Sequence, residues 1–297
     1  MHLHNKLRPF TAILLLAGIL ACGEAIAQET NGPTTPVVAA AGDPLWELGA
    51  VAVAGRLPHY RGSASYDNHI AVLPFLIYRG EILRMDRDSV RGIFYRGAWG
   101  EADLSVSGYP PVERDRARQG MPDLDPYLEI GPAWRIPLQR NAKGEPSLYL
   151  QTCLRGVITF DSHDYHPAYQ GVLGEVSLRA VNIRPIPDSP TRFGGSCGFS
   201  VADAACNGYF YNVSTAQALP DRPAYRSDGG YAGFFLSSYV VRKITRSLSW
   251  SAYARWDNLA GAVYANSPLV RQNNNYLVGT TLSWTFAVSG EKAVRDR

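Results

Sequence analysis

The residues best suited to chemistry are Asp161, His163, Asp164 and His166. Imidazoles and carboxylates this close together are donors that a divalent metal accepts. A stable site also needs ligands held by ordered neighbours, and this turn-like stretch offers none from a second element. The cluster is therefore read as a solvated hairpin tip, with a metal-dependent enzyme as the reading it competes with. No Gly-x-Ser-x-Gly elbow, phosphate-binding glycine loop or Ser–His–acid set stands out in the chain. No catalytic, cofactor-binding or metal-binding residue is assigned. Of the cysteines, Cys197 and Cys206 are near enough in sequence to staple a hairpin in an oxidising compartment. Three unpaired thiols, with Cys153 in mid-strand, are the alternative.

The compartment follows from the N-terminus. Lys6 and Arg8 precede the apolar run Phe10–Leu20, and Ala25-Ile26-Ala27 forms an A-x-A cleavage site before Gln28. That pattern is a cleaved export signal, residues 1–27, because the run is too short to span a bilayer. A loose lipidation box ends at Cys22, but Ala27 offers the cleaner site. Processing leaves a net charge near +2 and no basic run, so nucleic acid is not an expected partner. No later stretch is long and apolar enough for a transmembrane helix.

The elements that must carry any site are strands. Aromatics make up 11% of the chain, including 17 Tyr, and 28 Gly and 20 Pro punctuate it. This composition favours many short-connected strands over helices. Tyr276–Phe286 sets the pattern: Tyr, Val, Thr, Leu, Trp and Phe alternate with Leu, Gly, Thr, Ser and Thr. One apolar and one polar face over eleven residues fits a strand with lipid outside and a polar lumen inside. The same alternation recurs at Glu101–Ser107, Leu128–Ile136, Leu148–Thr159, Tyr169–Arg179 and Leu248–Asp257. Asn68–Tyr78 is apolar on both faces and must pack on something inside.

The expected fold is all-β, a transmembrane antiparallel up-and-down barrel over residues 44–286. A periplasmic leader (28–43) precedes it and a charged tail (287–297) follows. Twelve strands are expected, with ten as the alternative. The twelve treat Glu81–Gly97 as one broken strand and place two strands around Cys197–Cys206. An even number returns both ends to the periplasm. In that count the loop Tyr109–Asp125, containing Glu113, Arg114, Asp115, Arg116 and Arg118, faces the periplasm and is a candidate partner surface. Tyr276–Phe286 should close the ring against Leu45–Gly55. The alternation sends Glu47, Glu101, Glu129, Arg135, Arg155, Glu175, Arg179, Arg255 and Asp257 into the lumen. Mixed signs favour ion pairs that fill a small bore over a selective channel, which would show one dominant sign.

Several segments, in order, resemble the MipA/OmpV family of outer-membrane proteins, named for an MltA-interacting protein. Leu48-Gly49-Ala50-Val51 leads into Pro58-His59-Tyr60-Arg61-Gly62-Ser63, similar to the family's Pro-x-Tyr-x-Gly-Ser element. Leu73-Pro74 with Tyr78-Arg79-Gly80, and Asp125–Trp134, resemble further family segments. So do Tyr209–Tyr225 and Asn258-Leu259 with Asn266-Ser267-Pro268-Leu269-Val270. Two departures stand out. The chain runs eleven residues past Phe286, and Tyr211-Asn212 replaces the family's glycine before Val213. The resemblance implies non-enzymatic work in the Gram-negative outer membrane. The family's namesake is a scaffold joining a lytic transglycosylase to a penicillin-binding protein; adhesion and permeability are the other roles it implies. It transfers no catalytic residue.

Overall fold

The computed structural model describes residues 44–291, apart from 80–82, 87–88, 98, 142–143, 145, 162–163, 165 and 187; for 78–79, 83–86, 89–94 and 96 it describes the backbone alone. The export signal, Cys22, the leader, His163 and the last six residues of the tail lie outside the described residues.

Twelve antiparallel strands close on themselves in sequence order, β1 beside β12. They are β1 (Trp46–Pro58), β2 (Tyr66–Arg79), β3 (Leu83–Asp86), β4 (Ser89–Gly97), β5 (Gly100–Tyr109), β6 (Tyr127–Arg140) and β7 (Pro146–Phe160). After these come β8 (Pro167–Ile183), β9 (Thr191–Ala202), β10 (Gly230–Lys243), β11 (Leu248–Asn258) and β12 (Asn274–Val288). Ten of the twelve have ten residues or more; β3 and β4 form a short hairpin with 4 and 9.

Twelve is reached by a different route from the one the periodicity suggests. Glu81–Gly97 is two strands, with Asp86 opposite Ser89 at the fold between them. The Cys197–Cys206 segment is the end of one strand followed by helix α1 (Ala204–Tyr211). The two differences cancel in the count but reverse β5. Its following loop therefore lies with the long loops at the end opposite the termini, together with 59–65, 203–229 and 259–273. Short turns occupy the terminal end.

Burial follows the alternation. On β12, Tyr276, Val278, Leu282, Trp284 and Phe286 are exposed, while Leu277, Thr281, Ser283 and Thr285 are buried. Ile70, Val72, Leu154, Phe193, Phe199 and Leu236 continue the apolar outer wall. Ser105, Gln151, Ser177, Ser196, Ser237 and Ser251 line the inner one. Apolar outside and polar inside is the arrangement of a barrel in lipid. Outward aromatics gather near both rims, Trp284 against Phe286 at one and Phe234 against Trp256 at the other. Strand β2 is apolar on both faces because Phe75 and Ile77 fill the bore. Phe75 can lie there because Gly49 of β1 leaves room: a Cβ on Gly49 would sit 2.2 Å from the ring.

The closing strand pairs with β1 from Glu47–Val288 to Arg56–Val278. Pairing does not stop at Phe286. Ala287 and Val288 extend the ladder, Ser289 N–H donates to the Trp46 carbonyl, and Leu45 N–H donates to that of Glu291. The first residues after Phe286 are thus part of the seam and not a free tail.

Cys197 and Cys206 are not bonded. Cys197 sits on the outward face of β9, between the exposed Phe199 and Phe193. Cys206 is on α1, buried inside. The barrel wall separates them, so the expected staple is corrected. Denaturing the purified mature protein without reductant should leave Cys153, Cys197 and Cys206 all open to alkylation. A peptide pair linking 197 to 206 in the mass spectrum would contradict this topology.

Candidate functional site

One end of the barrel is stoppered from within. The stopper begins with Pro58–Ser63, where Gly62 takes a φ of +97°, a region that disfavours side chains. Its N–H donates to Asn275 Oδ1 at 2.6 Å, and its carbonyl accepts from Arg271 N–H at 2.7 Å. The β1–β2 loop is thereby clamped to the start of β12.

The second part is α1. Asp203 caps it by accepting from Cys206 N–H at 2.8 Å. The helix start lies against β8 at Gly171, where a Cβ would come within 2.3 Å of Asp203 Oδ1. Tyr211 ends the helix. It stacks on Tyr264 with centroids 3.7 Å apart, and its hydroxyl donates to the Arg61 carbonyl. Tyr60 O–H donates to the Leu269 carbonyl, Tyr264 O–H to that of Ala232, and Ser267 O–H to that of Tyr211. Leu259, Tyr264 and Leu269 are fully enclosed.

The third part is the loop 110–126, which was expected to offer a charged surface. Glu113, Arg114 and Arg116 are exposed, but Asp115 and Arg118 are buried. The Asp115 carboxylate accepts from Ser63 Oγ, His59 Nδ1 and Ala117 N–H, each at 2.8 Å. Arg118 donates to the Phe210 carbonyl, and Arg222 donates to the carbonyls of Ala117 and Gln119. Two of the five residues of the expected partner surface are the joinery of the stopper. The loop lies at the end away from the termini, opposite to the end where the twelve-strand count expected it.

Below the stopper the nine inward charges meet in part. Arg155 lies between Glu129 (3.1 Å) and Glu175 (3.4 Å). Arg255 pairs with Asp257 at 2.9 Å while its guanidinium covers the Phe235 ring. Arg135 pairs with Asp103 at 2.9 Å and, with Arg179, donates to Gln151 Oε1. Asp103 shares its face with Glu101 in the alternation but was not among the expected lumen charges; Gln151 is inward by the same alternation as Arg155, and its bridging of two arginines was not foreseen. Glu47 and Glu101 face inward near the terminal end, where Glu47 accepts from Thr285 Oγ1. Glu101 stands directly across from Arg135 in the β5–β6 register.

A cavity of about 150 Å³ remains between stopper and inner wall. Glu129, Arg155, Glu175, Arg179, Arg255 and Asp257 line it from the strands, Arg61 from the β1–β2 loop, and Cys206, Asn207, Phe210 and Tyr211 from α1. Arg61 escaped a lumen assignment because it lies outside any alternating strand. Helix α1 escaped because Ala204–Tyr211 has no apolar stripe; its one legible signal was the Asp203 cap. The Asp161–His166 segment lies at an exposed hairpin tip, with Asp164 3.4 Å from His166. Among the described residues no three His, Cys, Asp or Glu gather as a metal would require.

Burial holds the stopper's tyrosines and the Cys206 thiol neutral. It raises Tyr60, Tyr211 and Tyr264 above the ordinary tyrosine value and pushes Tyr209 and the Cys206 thiol up to about 12.

A family model described as MltA-interacting protein MipA matches residues 48–286. No curated protein matches the chain. Among solved structures, it is similar to the translocator domain of the autotransporter NalP from Neisseria meningitidis, with 10% identity, 92% of this chain and 99% of that one covered, and a TM-score of 0.41. Similarity extends to Neisserial surface protein A at 10% identity, coverage of 82% and 99%, and a TM-score of 0.24. OprG, an outer membrane protein of Pseudomonas aeruginosa, matches at 6% identity, coverage of 83% and 99%, and a TM-score of 0.21.

Two outcomes follow from the site. Arg155→Met should cost about 3–5 kcal/mol, because it leaves Glu129 and Glu175 facing each other unpaired; urea unfolding in detergent measures it, and an unchanged midpoint would refute the ion-pair account. The second is alkaline lability. The buried tyrosines have raised values, so their contribution is complete below the unfolded value near 10. It is lost as pH climbs from there toward the folded values, by about 1.4 kcal/mol per unit per group. The buried tyrosines' share of the tyrosinate absorbance should therefore appear only in a late, cooperative step with unfolding, and a single smooth titration of all tyrosines near 10 would oppose this.

Proposed function

The chain belongs to the MltA-interacting protein (MipA) family, and from that premise we propose that this outer-membrane barrel is a non-catalytic scaffold for murein-processing enzymes, not a pore. The observation that carries the reading is the enclosed inner wall. Gln151, Val157, Tyr149, Tyr239, Tyr253, Arg135 and Arg179 are all buried. Side chains around a water-filled bore would be open to it. Tyr239 lies on the inner wall over Gly194 of the neighbouring strand, where a Cβ would meet its ring at 2.3 Å. Ion pairs and rings thus occupy the space that conduction needs.

Barrels of this class keep their termini and short turns in the periplasm. A murein-bound partner would meet that end and not the stoppered one. Among the exposed charges there, Arg184 and Asp188 stand in the β8–β9 turn and Arg242, Lys243 and Arg246 around the β10–β11 turn, four cations to one carboxylate. The two turns adjoin, since Lys243 N–H donates to the Pro190 carbonyl. They supply a basic patch that suits an acidic face on a lytic transglycosylase or a penicillin-binding protein. In the family's name it is MltA that is bound, and the same class of partner is proposed for this chain.

Pull-downs from solubilised envelopes should recover such enzymes with the full chain. Reversing Arg184, Arg242 and Arg246 to Glu should cut recovery roughly tenfold or more, whereas Glu113→Lys at the opposite end should leave it unchanged. Equal recovery by all three proteins, or stepwise conductance of the intact protein in planar bilayers, would overturn the proposal.

A further inference from the structure

The cavity beneath the stopper is not symmetrical in charge. Arg155 is shared by Glu129 and Glu175, and Arg255 is matched by Asp257. Four arginines against three carboxylates leave the lining one positive charge in excess. Arg61 is where that excess is least answered. No carboxylate among the described residues lies within ion-pair distance of its guanidinium, whose one hydrogen bond is a long one, Nη1 to Ser200 Oγ at 3.5 Å.

Its backbone, by contrast, is fixed. The carbonyl accepts from Tyr211 O–H at 2.9 Å, and the next residue, Gly62, is clamped by Asn275 and Arg271. A cation with most of its five donors uncommitted is thus held by a rigid loop over a partly enclosed space. A half-buried guanidinium favours an anion at hydrogen-bonding distance, and its planar fork matches a carboxylate. The wall also carries rings: Tyr127 and Phe210 meet edge to face at 5.4 Å, with Tyr109 stacked behind Tyr127. Such rings suit the body of an organic molecule better than a bare inorganic ion.

We propose that this cavity binds one small organic monocarboxylate, its carboxylate on Arg61 and its body against the Tyr127–Phe210 wall. The volume of about 150 Å³ limits the ligand to the size of a single ring or a short acyl chain. The proposal does not depend on scaffolding: a barrel that conducts nothing and recruits no enzyme could still hold the ligand, and the assay below reads neither property.

The test is a charge series on the folded, detergent-solubilised full chain by isothermal titration calorimetry. Benzoate should bind, while its neutral isostere benzamide, acetate and chloride should each bind at least about tenfold more weakly. Arg61→Gln should lose benzoate by a similar factor, and Arg61→Lys should keep part of it. Heat-modifiable gel mobility shows that each variant is a folded barrel. Should Arg61→Gln not fold, the ligand series on the natural protein decides alone. Equal binding of benzoate and benzamide removes Arg61 from the site. Chloride or acetate binding as tightly as benzoate removes the organic body. No heat with benzoate at millimolar concentration removes the site.

Discussion

Every polar group on the inner wall has to be satisfied inside the barrel, because the outer wall is given over to hydrocarbon-facing side chains. That one constraint orders the rest of the structure. Serines and threonines pair across strands, as Ser196 with Ser237 and Ser251 with Thr281 do. Arginines are sandwiched between carboxylates or laid over rings. At the open end, where the wall's alternation stops, the loops fold inward and provide the last partners themselves. Buried ion pairs of this kind add little net stability compared with apolar packing, but removing one partner is costly. They therefore fix which strands face one another more than they hold the barrel together.

The stopper gives the family resemblance a physical meaning. Pro58–Ser63, Tyr209–Tyr225 and Asn266–Val270 are far apart in the chain and weak as separate patterns. In three dimensions they are one object. Tyr60 reaches Leu269, Tyr211 reaches Arg61, and Ser267 reaches Tyr211. Three of the segments that carry the resemblance thus meet in the loops that close the barrel. Asn212, which stands where the resemblance leads one to expect a glycine, ends α1 and accepts from Ser227 N–H at 2.7 Å.

How legible this was varies with the kind of signal. Strand faces were readable because period-two alternation directly encodes lipid and lumen, and Arg155, Glu175 and Asp257 were placed inside on that basis alone. The seam between β1 and β12 was readable from the same pattern. The β3–β4 hairpin was not, because Leu83–Asp86 is too short to alternate visibly. That single strand reversed the orientation of the loop after it, and with it the side assigned to Glu113–Arg118. Helix α1 was hidden by aromatic and glycine residues that read as strand. Burial of Asp115 was also hidden, since nothing in a charged run announces that Ser63 and His59 will meet one of its members. Arg61 and Gln151 show the same limit: loop residues and neutral amides acquire their roles from tertiary neighbours.

The seam carries an implication for the order of assembly. Trp46 bonds to Ser289, a separation of 243 residues, and Tyr60 to Leu269 spans 209. Contacts of that range contribute nothing until almost the whole chain has been laid down, and the entropy of closing such large loops must be met first. Hairpins between neighbouring strands can form early; the stopper cannot, because both its anchors wait on the last strand. Closure of the ring and seating of the loops are therefore late and coupled events. An open sheet with its loops unseated, its inner charges and both edge strands uncovered, is the intermediate that any assembly machinery in the envelope would have to shelter.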